Sequence, residues 1–208
     1  MVKIAVMVSG GGTNLQALID AERRGELKNG ELSAVISSNA DAYALKRANR
    51  AFIPSYVLCR RDYASTDAYG AALAEMLGQL GIGLVVLAGF MTVLPPDFCR
   101  RFEGRIINIH PSLIPSFCGP GFYGLRVHEA ALTKGVKVTG ATVHFVSEVV
   151  DGGAIILQKA VEILPGDTPE RLQKRVMQEA EWKLLPRAVS LFCEGKLQIS
   201  GGTVRILD

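Results

Sequence analysis

RIINIHPSLIPS, residues 105–116, is the stretch that decides the fold. Ile106, Ile107 and Ile109 are β-branched and apolar, so Arg105 to Ile109 reads as a buried strand. Side chains two apart on a strand project the same way, ~7 Å apart at Cα. Asn108 and His110 therefore point together. Pro111 cannot continue a central ladder, and the strand stops there. An amide and an imidazole thus stand side by side at the carboxyl end of a strand. Open α/β sheets place their ligands at that end.

Outward from this strand, apolar strands alternate with helical patterns. Lys3 to Val8 reads as the first strand, with a helix from about Asn14. Leu32 to Ser37 is the second, followed by a helix over Ala42 to Asn49. Ser55 to Leu58 marks a third strand only weakly. Asp62 to Leu80 is helical, with Leu73, Met76, Leu77 and Leu80 as its apolar stripe. Leu84 to Ala88 is continuously apolar, as a strand covered on both faces should be. The alternation predicts an α/β fold with a mostly parallel sheet and helices on both faces.

The pattern changes in the C-terminal half, where antiparallel strands are expected. Lys137 to Val146 and Ala154 to Ile163 read as long strands around the turn-prone SEVVDGG, either antiparallel to each other or split across the sheet. A long helix is predicted over Thr168 to Phe192, with Pro169 in its first turn and Pro186 kinking or interrupting it. The tail KLQISGGTVRIL reads as a hairpin around Gly201 and Gly202. No boundary is visible, so residues 1–208 read as one domain.

Composition narrows the function. Of 208 residues, 49% are hydrophobic and 21% charged, which suits one large core. The net charge of +3 is small, and basic pairs such as Arg23-Arg24, Arg60-Arg61 and Arg100-Arg101 are scattered. They read as solvated faces, so no nucleic-acid partner is expected. Cys59, Cys99, Cys118 and Cys193 lie far apart without CxxC spacing. They read as reduced thiols of a cytoplasmic protein, with Cys118 a passenger near the site. The apolar start MVKIAVMVSGGG is too short for a membrane span and lacks a signal-type cleavage region.

Ser9-Gly10-Gly11-Gly12-Thr13-Asn14 joins the first strand to the first helix. Glycines let backbone N–H groups approach an anion, and the helix N-terminus adds partial positive charge. Thr13 and Gln16 fit a capping box at the helix start. Gly12, Thr13 and Asn14 read as a phosphate cradle, since three glycines exceed what a tight turn needs. A dinucleotide is disfavoured, because Leu15 stands where the third glycine would be and the second strand ends Ser37-Ser38-Asn39 without an acid. No Gly-Lys-Ser/Thr follows the glycines either. A small sugar phosphate is the ligand expected.

SGGGTNLQALID, LAGFMTVLPPDF, GRIINIHPSLIPSF, GVKVTGATVHFV and DGGAIILQKAV resemble, in order, blocks of the phosphoribosylglycinamide formyltransferases, folate-dependent enzymes of purine synthesis. The resemblance covers nearly the whole chain and implies a Rossmann-like sheet. It implies transfer of the formyl group of 10-formyltetrahydrofolate to the amine of 5-phosphoribosylglycinamide. Its catalytic set falls on Asn108, His110 and Asp151, its phosphate loop on Gly12, Thr13 and Asn14, and its glycinamide-binding glutamate on Glu181. Folate is expected against Met91, Thr92, Val93 and Leu94, and against Ser147, Glu148, Val149 and Val150. Thr92 and Thr66 stand where members of the family carry arginine, and the loop SFCGPGFYGLRVHEAAL is longer than the shortest family version. The partners implied are two small molecules, with the protein a monomer or homodimer away from membranes.

These residue types suit that chemistry. Attack of an amine on a formyl carbon gathers negative charge on oxygen, which Asn108 can stabilise as donor. His110 is expected to act as the acid, and a nearby Asp151 carboxylate to raise its pKa above the ordinary value of about 6.5. No metal is required, and no His/Cys cluster has ligand spacing. Asp151 with Gly152 and Gly153 is by composition an ordinary turn; only the resemblance gives it a catalytic role. His144 in TVHFV is open to a structural or a site role, and His128 at a helix start to a surface, capping or substrate role. Three other readings compete. A formyltetrahydrofolate hydrolase is expected to add an N-terminal regulatory domain. A transformylase of initiator tRNA is expected to add a C-terminal domain and a basic surface. A phosphate-binding module would have lost its chemistry, against the intact Asn108, His110 and Asp151.

Overall fold

A computed structural model describes residues 1–208. The first half runs β1 (Val2–Val8), α1 (Thr13–Arg23), β2 (Gly30–Ser37), α2 (Tyr43–Arg50), β3 (Ser55–Val57), α3 (Thr66–Gln79), β4 (Leu84–Leu87) and α4 (Pro96–Arg101). The second runs β5 (Ile106–His110), α5 (Leu125–Lys134), β6 (Val138–Phe145), β7 (Ile155–Glu162), α6 (Pro169–Val176), α7 (Trp182–Cys193), β8 (Leu197–Ser200) and β9 (Thr203–Ile206). Seven strands form one sheet in the order β3-β2-β1-β4-β5-β6-β7. The first five are parallel. β6 runs antiparallel to β5, and β7 antiparallel to β6, so the two long C-terminal strands are neighbours.

Strand alternation divides the core. Ile4, Val6 and Val8 of β1 face one layer, which includes Leu15, Leu18, Leu185 and Val189 of α1 and α7. Ala5 and Met7 face the other, with Tyr69, Leu73 and Leu77 of α3 and Phe98 of α4. Strand order reverses between β1 and β4, and a crevice opens at such a switch point. The glycine loop leaves β1 there, and the Met91 to Leu94 segment follows β4. The two are tied by the Met91 N–H, which donates to Ser9 Oγ at 2.8 Å.

Two helices differ from expectation. The third begins at Thr66, not Asp62, because Arg60–Asp62 form a separate 3-10 turn and Ser65 caps the helix through the Ala68 N–H at 3.0 Å. The long C-terminal helix is interrupted one turn before Pro186, which sits inside an unbroken α7. The break is a π-helical segment, Met177–Glu181, in which the Trp182 N–H reaches back to the Met177 carbonyl. Such a widened turn holds one extra residue without unwinding the helix. The tail hairpin forms as expected, and its Leu197 and Val204 pack against the larger core.

Candidate active site

β5 and β6 build the site by register. Their antiparallel pairing sets Asn108 opposite His144 and His110 opposite Thr142. A bulge between Val143 and His144 in the pairing with β7 bends β6 at that point. The His144 Nδ1–H donates to the Phe145 carbonyl at 2.8 Å, which fixes its tautomer. Its Nε2 therefore accepts from Asn108 Nδ2 at 3.1 Å, orienting the amide. His110 is fixed likewise. Its Nε2–H donates to the Phe117 carbonyl at 2.9 Å, leaving the Nδ1 lone pair 3.5 Å from Asp151 Oδ2.

The acidic turn does reach the imidazole. Asp151 is held by the Gly119 N–H, which donates to Oδ2 at 2.8 Å, and its Oδ1 lies 3.7 Å from His144 Nε2. Asp151 adopts φ 55°, a left-handed conformation uncommon outside glycine. Gly153 lets the turn lie directly on β6, because a Cβ there would collide with the Phe145 carbonyl. The carboxylate and both rings are nearly buried, at 9% side-chain exposure for Asp151, 5% for His110 and 1% for His144.

Burial reverses one expectation. It lowers the His110 pKa by more than the Asp151 carboxylate raises it, so the net shift is downward. Burial pushes Asp151 upward, but the Gly119 N–H and the His144 and His110 rings, in their protonated forms, hold it below the ordinary carboxylate value. Cys118 is pushed up by burial and by Asp151, and its thiol donates to the Pro115 carbonyl at 3.3 Å, as befits a passenger.

His128 is neither at the surface nor a cap. It is fully buried on α5 with neither ring nitrogen hydrogen-bonded, and burial, then the charge of His110, pushes it down to about 4. The unfolded chain, with an ordinary pKa of about 6.5, takes up this proton first. The stability this residue contributes is complete above about pH 6.5 and falls as pH drops towards 4, by up to about 3 kcal/mol. In His128→Phe, the melting temperature should fall less between pH 7 and pH 4 than in the parent. Parallel Tm-against-pH curves for the two proteins would show that His128 does not carry this effect.

The glycine loop differs from the capping-box expectation. Gly12, at φ 71°, is the N-cap of α1, and no side chain caps the helix. Gln16 is occupied elsewhere, donating to Asp20 Oδ1 at 2.9 Å and accepting from Arg47 at 2.9 Å. A Cβ on Gly12 would lie 2.6 Å from Ala44 Cβ, so loop and α2 touch through that glycine. The first helical bond is Gln16 N–H to the Gly12 carbonyl at 2.9 Å, which leaves the preceding N–H groups of the first turn without helical acceptors. Asn14 Nδ2 donates to Glu181 Oε2 at 2.6 Å. The π segment turns Glu181 inward, and burial pushes its pKa up to about 7 against the Asn14 bond.

The two expected folate segments lie on either side of an ion pair. Arg100 of α4 meets Glu148 at 2.8 Å, joining the turn after β6 to the helix that follows Met91 to Leu94. Met91, Val93, Val149 and Val150 expose apolar side chains, while Leu94 is buried in the core, leaving only its main chain for a ligand. Ser147 accepts from the Val149 N–H at 3.3 Å and shapes the turn. Thr92 is partly exposed. Arg60 Nε donates to Thr66 Oγ1 at 3.0 Å, placing a guanidinium at that helix start.

Asn108, His110 and Asp151 therefore converge, as do Gly12, Thr13, Asn14 and Glu181. His144 joins the first group on equal terms. Its position on one strand face with Thr142 was legible, but only the β5–β6 register shows that the face is shared with Asn108. The Phe117 carbonyl and Gly119 N–H carried no sequence signal, being main-chain groups of a long loop. No group of three or more His, Cys, Asp or Glu side chains is arranged to hold a metal ion. No helix is long and apolar enough to cross a membrane.

Comparison with known proteins finds likeness over nearly the whole chain. A family model described as formyl transferase matches residues 2–189. The phosphoribosylglycinamide formyltransferase of Haemophilus influenzae is 43% identical over 199 residues, 96% of this chain and 91% of that protein. The Escherichia coli protein of the same name is 40% identical over 196 residues, 94% of this chain and 89% of its own. The crystal structure of glycinamide ribonucleotide transformylase 1 from Symbiobacterium toebii superposes with a TM-score of 0.94 at 48% identity, covering 100% of this chain and 95% of that one.

Proposed function

The chain belongs to the formyl transferase family, and from that premise we infer that it moves the formyl group of 10-formyltetrahydrofolate onto the amine of 5-phosphoribosylglycinamide, a step of purine biosynthesis. The observation that carries this reading is the contact between His110 Nδ1 and Asp151 beside the oriented Asn108 amide. The folate cosubstrate supplies an activated formyl carbon. The exposed apolar side chains of Met91, Val93, Val149 and Val150 fit a flat heterocycle beside that cluster.

Asn108 has one amide N–H committed to His144, and the other is free to donate to the formyl oxygen as charge gathers there. In its neutral form, which burial favours, His110 acts first as base. Nδ1 accepts the proton that the attacking amine loses as its bond to carbon forms. The resulting imidazolium is stabilised by Asp151 on one side and by the Phe117 carbonyl on the other. His110 then returns the proton to the departing folate nitrogen as the old C–N bond breaks. His110 thus serves as base and then as acid, and burial, by lowering its pKa, favours the base form at the start of the cycle.

Gly12, Thr13 and Asn14 are assigned to the substrate phosphate, and Glu181 to its glycinamide end. Their direct linkage through Asn14 and Glu181 supports one continuous substrate groove. Gly12→Val should weaken binding of the ribonucleotide by at least about tenfold, since valine there is strained at positive φ and meets Ala44. Unchanged affinity by calorimetry would reject the cradle. Residues 1–208 are taken as one formyltransferase domain, acting as monomer or homodimer. A cytoplasmic location fits its four free cysteines.

The test follows loss of the folate formyl group by absorbance. Turnover should require the ribonucleotide amine. Equal turnover in its absence would reassign the protein as a hydrolase, and tight binding without turnover would leave a binding module.

A further inference from the structure

We propose that Arg47 of α2 is a positioning residue of the phosphate cradle, setting the direction of its N–H groups and supplying its neighbouring fixed positive charge. This rests on the assignment of Gly12, Thr13 and Asn14 to the substrate phosphate. Arg47 Nε donates to the Gly11 carbonyl at 2.9 Å, and a terminal nitrogen donates to Gln16 Oε1 at 2.9 Å. One guanidinium thus joins the loop to the first turn of α1. The geometry has a directional consequence. In a planar trans peptide the C=O and the following N–H point opposite ways. Holding the Gly11 carbonyl against Arg47 therefore turns the Gly12 N–H to the far side, towards the cradle. The Ala44 N–H holds the Gly10 carbonyl in the same manner at 3.0 Å.

Charge points the same way. Lys46, Arg47 and Arg50 gather around the Tyr43 ring at 5.7, 5.1 and 5.8 Å from its centroid. None of the three has a carboxylate within ion-pairing distance, whereas Arg24, Arg100 and Arg175 all do. Only two of the five N–H donors of Arg47 are spent on protein acceptors. A Cβ built on Gly12 lies 3.5 Å from Arg47 Cδ, so the arginine stem packs against the loop beside α2. An unpaired guanidinium that both orients the loop and flanks it suits a phosphate dianion, and gives the site a means of preferring the phosphorylated substrate.

The experiment compares kcat/KM for the ribonucleotide with kcat/KM for the dephosphorylated ribonucleoside. In Arg47→Gln, KM for the ribonucleotide should rise about 10- to 100-fold, while kcat and the folate KM stay within about twofold. The ribonucleoside should be almost unaffected, so preference for the phosphate collapses by the same factor. Inorganic phosphate should also lose its competitive inhibition. Arg47→Lys keeps the charge but not the two-armed contact, and should remain within about threefold of the glutamine variant. Equal losses on both substrates would reduce Arg47 to a structural brace. Full recovery in the lysine variant would overturn the positioning claim, and an unchanged preference in the glutamine variant would overturn the whole inference. A parent enzyme with no turnover of the ribonucleotide would overturn the functional assignment instead.

Discussion

Replacing His110 by alanine should lower kcat about a thousandfold at saturating substrates while the protein still folds. Removal of a positioned acid–base group costs 10²- to 10⁴-fold in enzymes generally, roughly the range expected here. The acid limb of the pH–rate profile should vanish with the ring. In the parent, kcat/KM should rise as pH passes a His110 pKa that burial has moved below its ordinary value, because the neutral ring is the competent form. Asp151→Asn tests the same proton. The carboxylate raises the His110 pKa, so its loss should move the acid limb to still lower pH and reduce kcat, since the imidazolium loses its partner at 3.5 Å. Near-parental kcat in either variant would remove that residue from proton transfer, and an acid limb that shifts upward in Asp151→Asn would contradict the electrostatics.

The second large effect comes from a residue with no side chain. Gly153→Ala should cost about a hundredfold in kcat, the order seen when a reacting group is misplaced by an ångström. A Cβ there collides with main chain, the Phe145 carbonyl and its carbon, which are anchored within β6. The turn has to lift, and Asp151 with it. Gly152 provides the control. A Cβ at that position meets Val149 Cβ and Cγ1 at 2.8 Å, so the exposed tip of the turn has to shift while β6 stays in place. Gly152→Ala should therefore cost less kcat than Gly153→Ala. Equal kcat values for the two variants would mean that Asp151 does not need the turn to be seated on β6.

The contrast shows what a sequence makes legible. Strand positions were readable because the apolar runs at Lys3 to Val8, Leu84 to Ala88 and Arg105 to Ile109 can satisfy burial on both faces in only one way. Asn108 and His110 were readable because strand periodicity is rigid. Asp151 was not readable from its own neighbourhood. Its reach to His110 depends on the antiparallel register of β5, β6 and β7, on a bulge at His144, and on Gly153 lying against a carbonyl 8 positions earlier. These are long-range facts of packing, and only likeness to a family pointed to them in advance. The capping box failed for a related reason. Thr13 and Gln16 have the right spacing, but Arg47 and Asp20 compete for Gln16, and Gly12 ends the loop in a left-handed turn that needs no side chain. The net His110 shift is not legible in the sequence, because a neighbouring carboxylate can be read from it, whereas the degree of desolvation cannot.

The widened turn at Met177–Glu181 carries a consequence for anyone shortening or grafting this helix. Deleting one residue there would let the backbone relax into uninterrupted α-helix, which is locally the more comfortable state. Every side chain upstream would then swing by roughly 100° about the axis relative to those downstream. If α7 stays seated, α6 must unseat Leu172 and Val176; if α6 stays seated, Glu181 turns away from Asn14. A more regular helix would thus be bought with a disconnected groove.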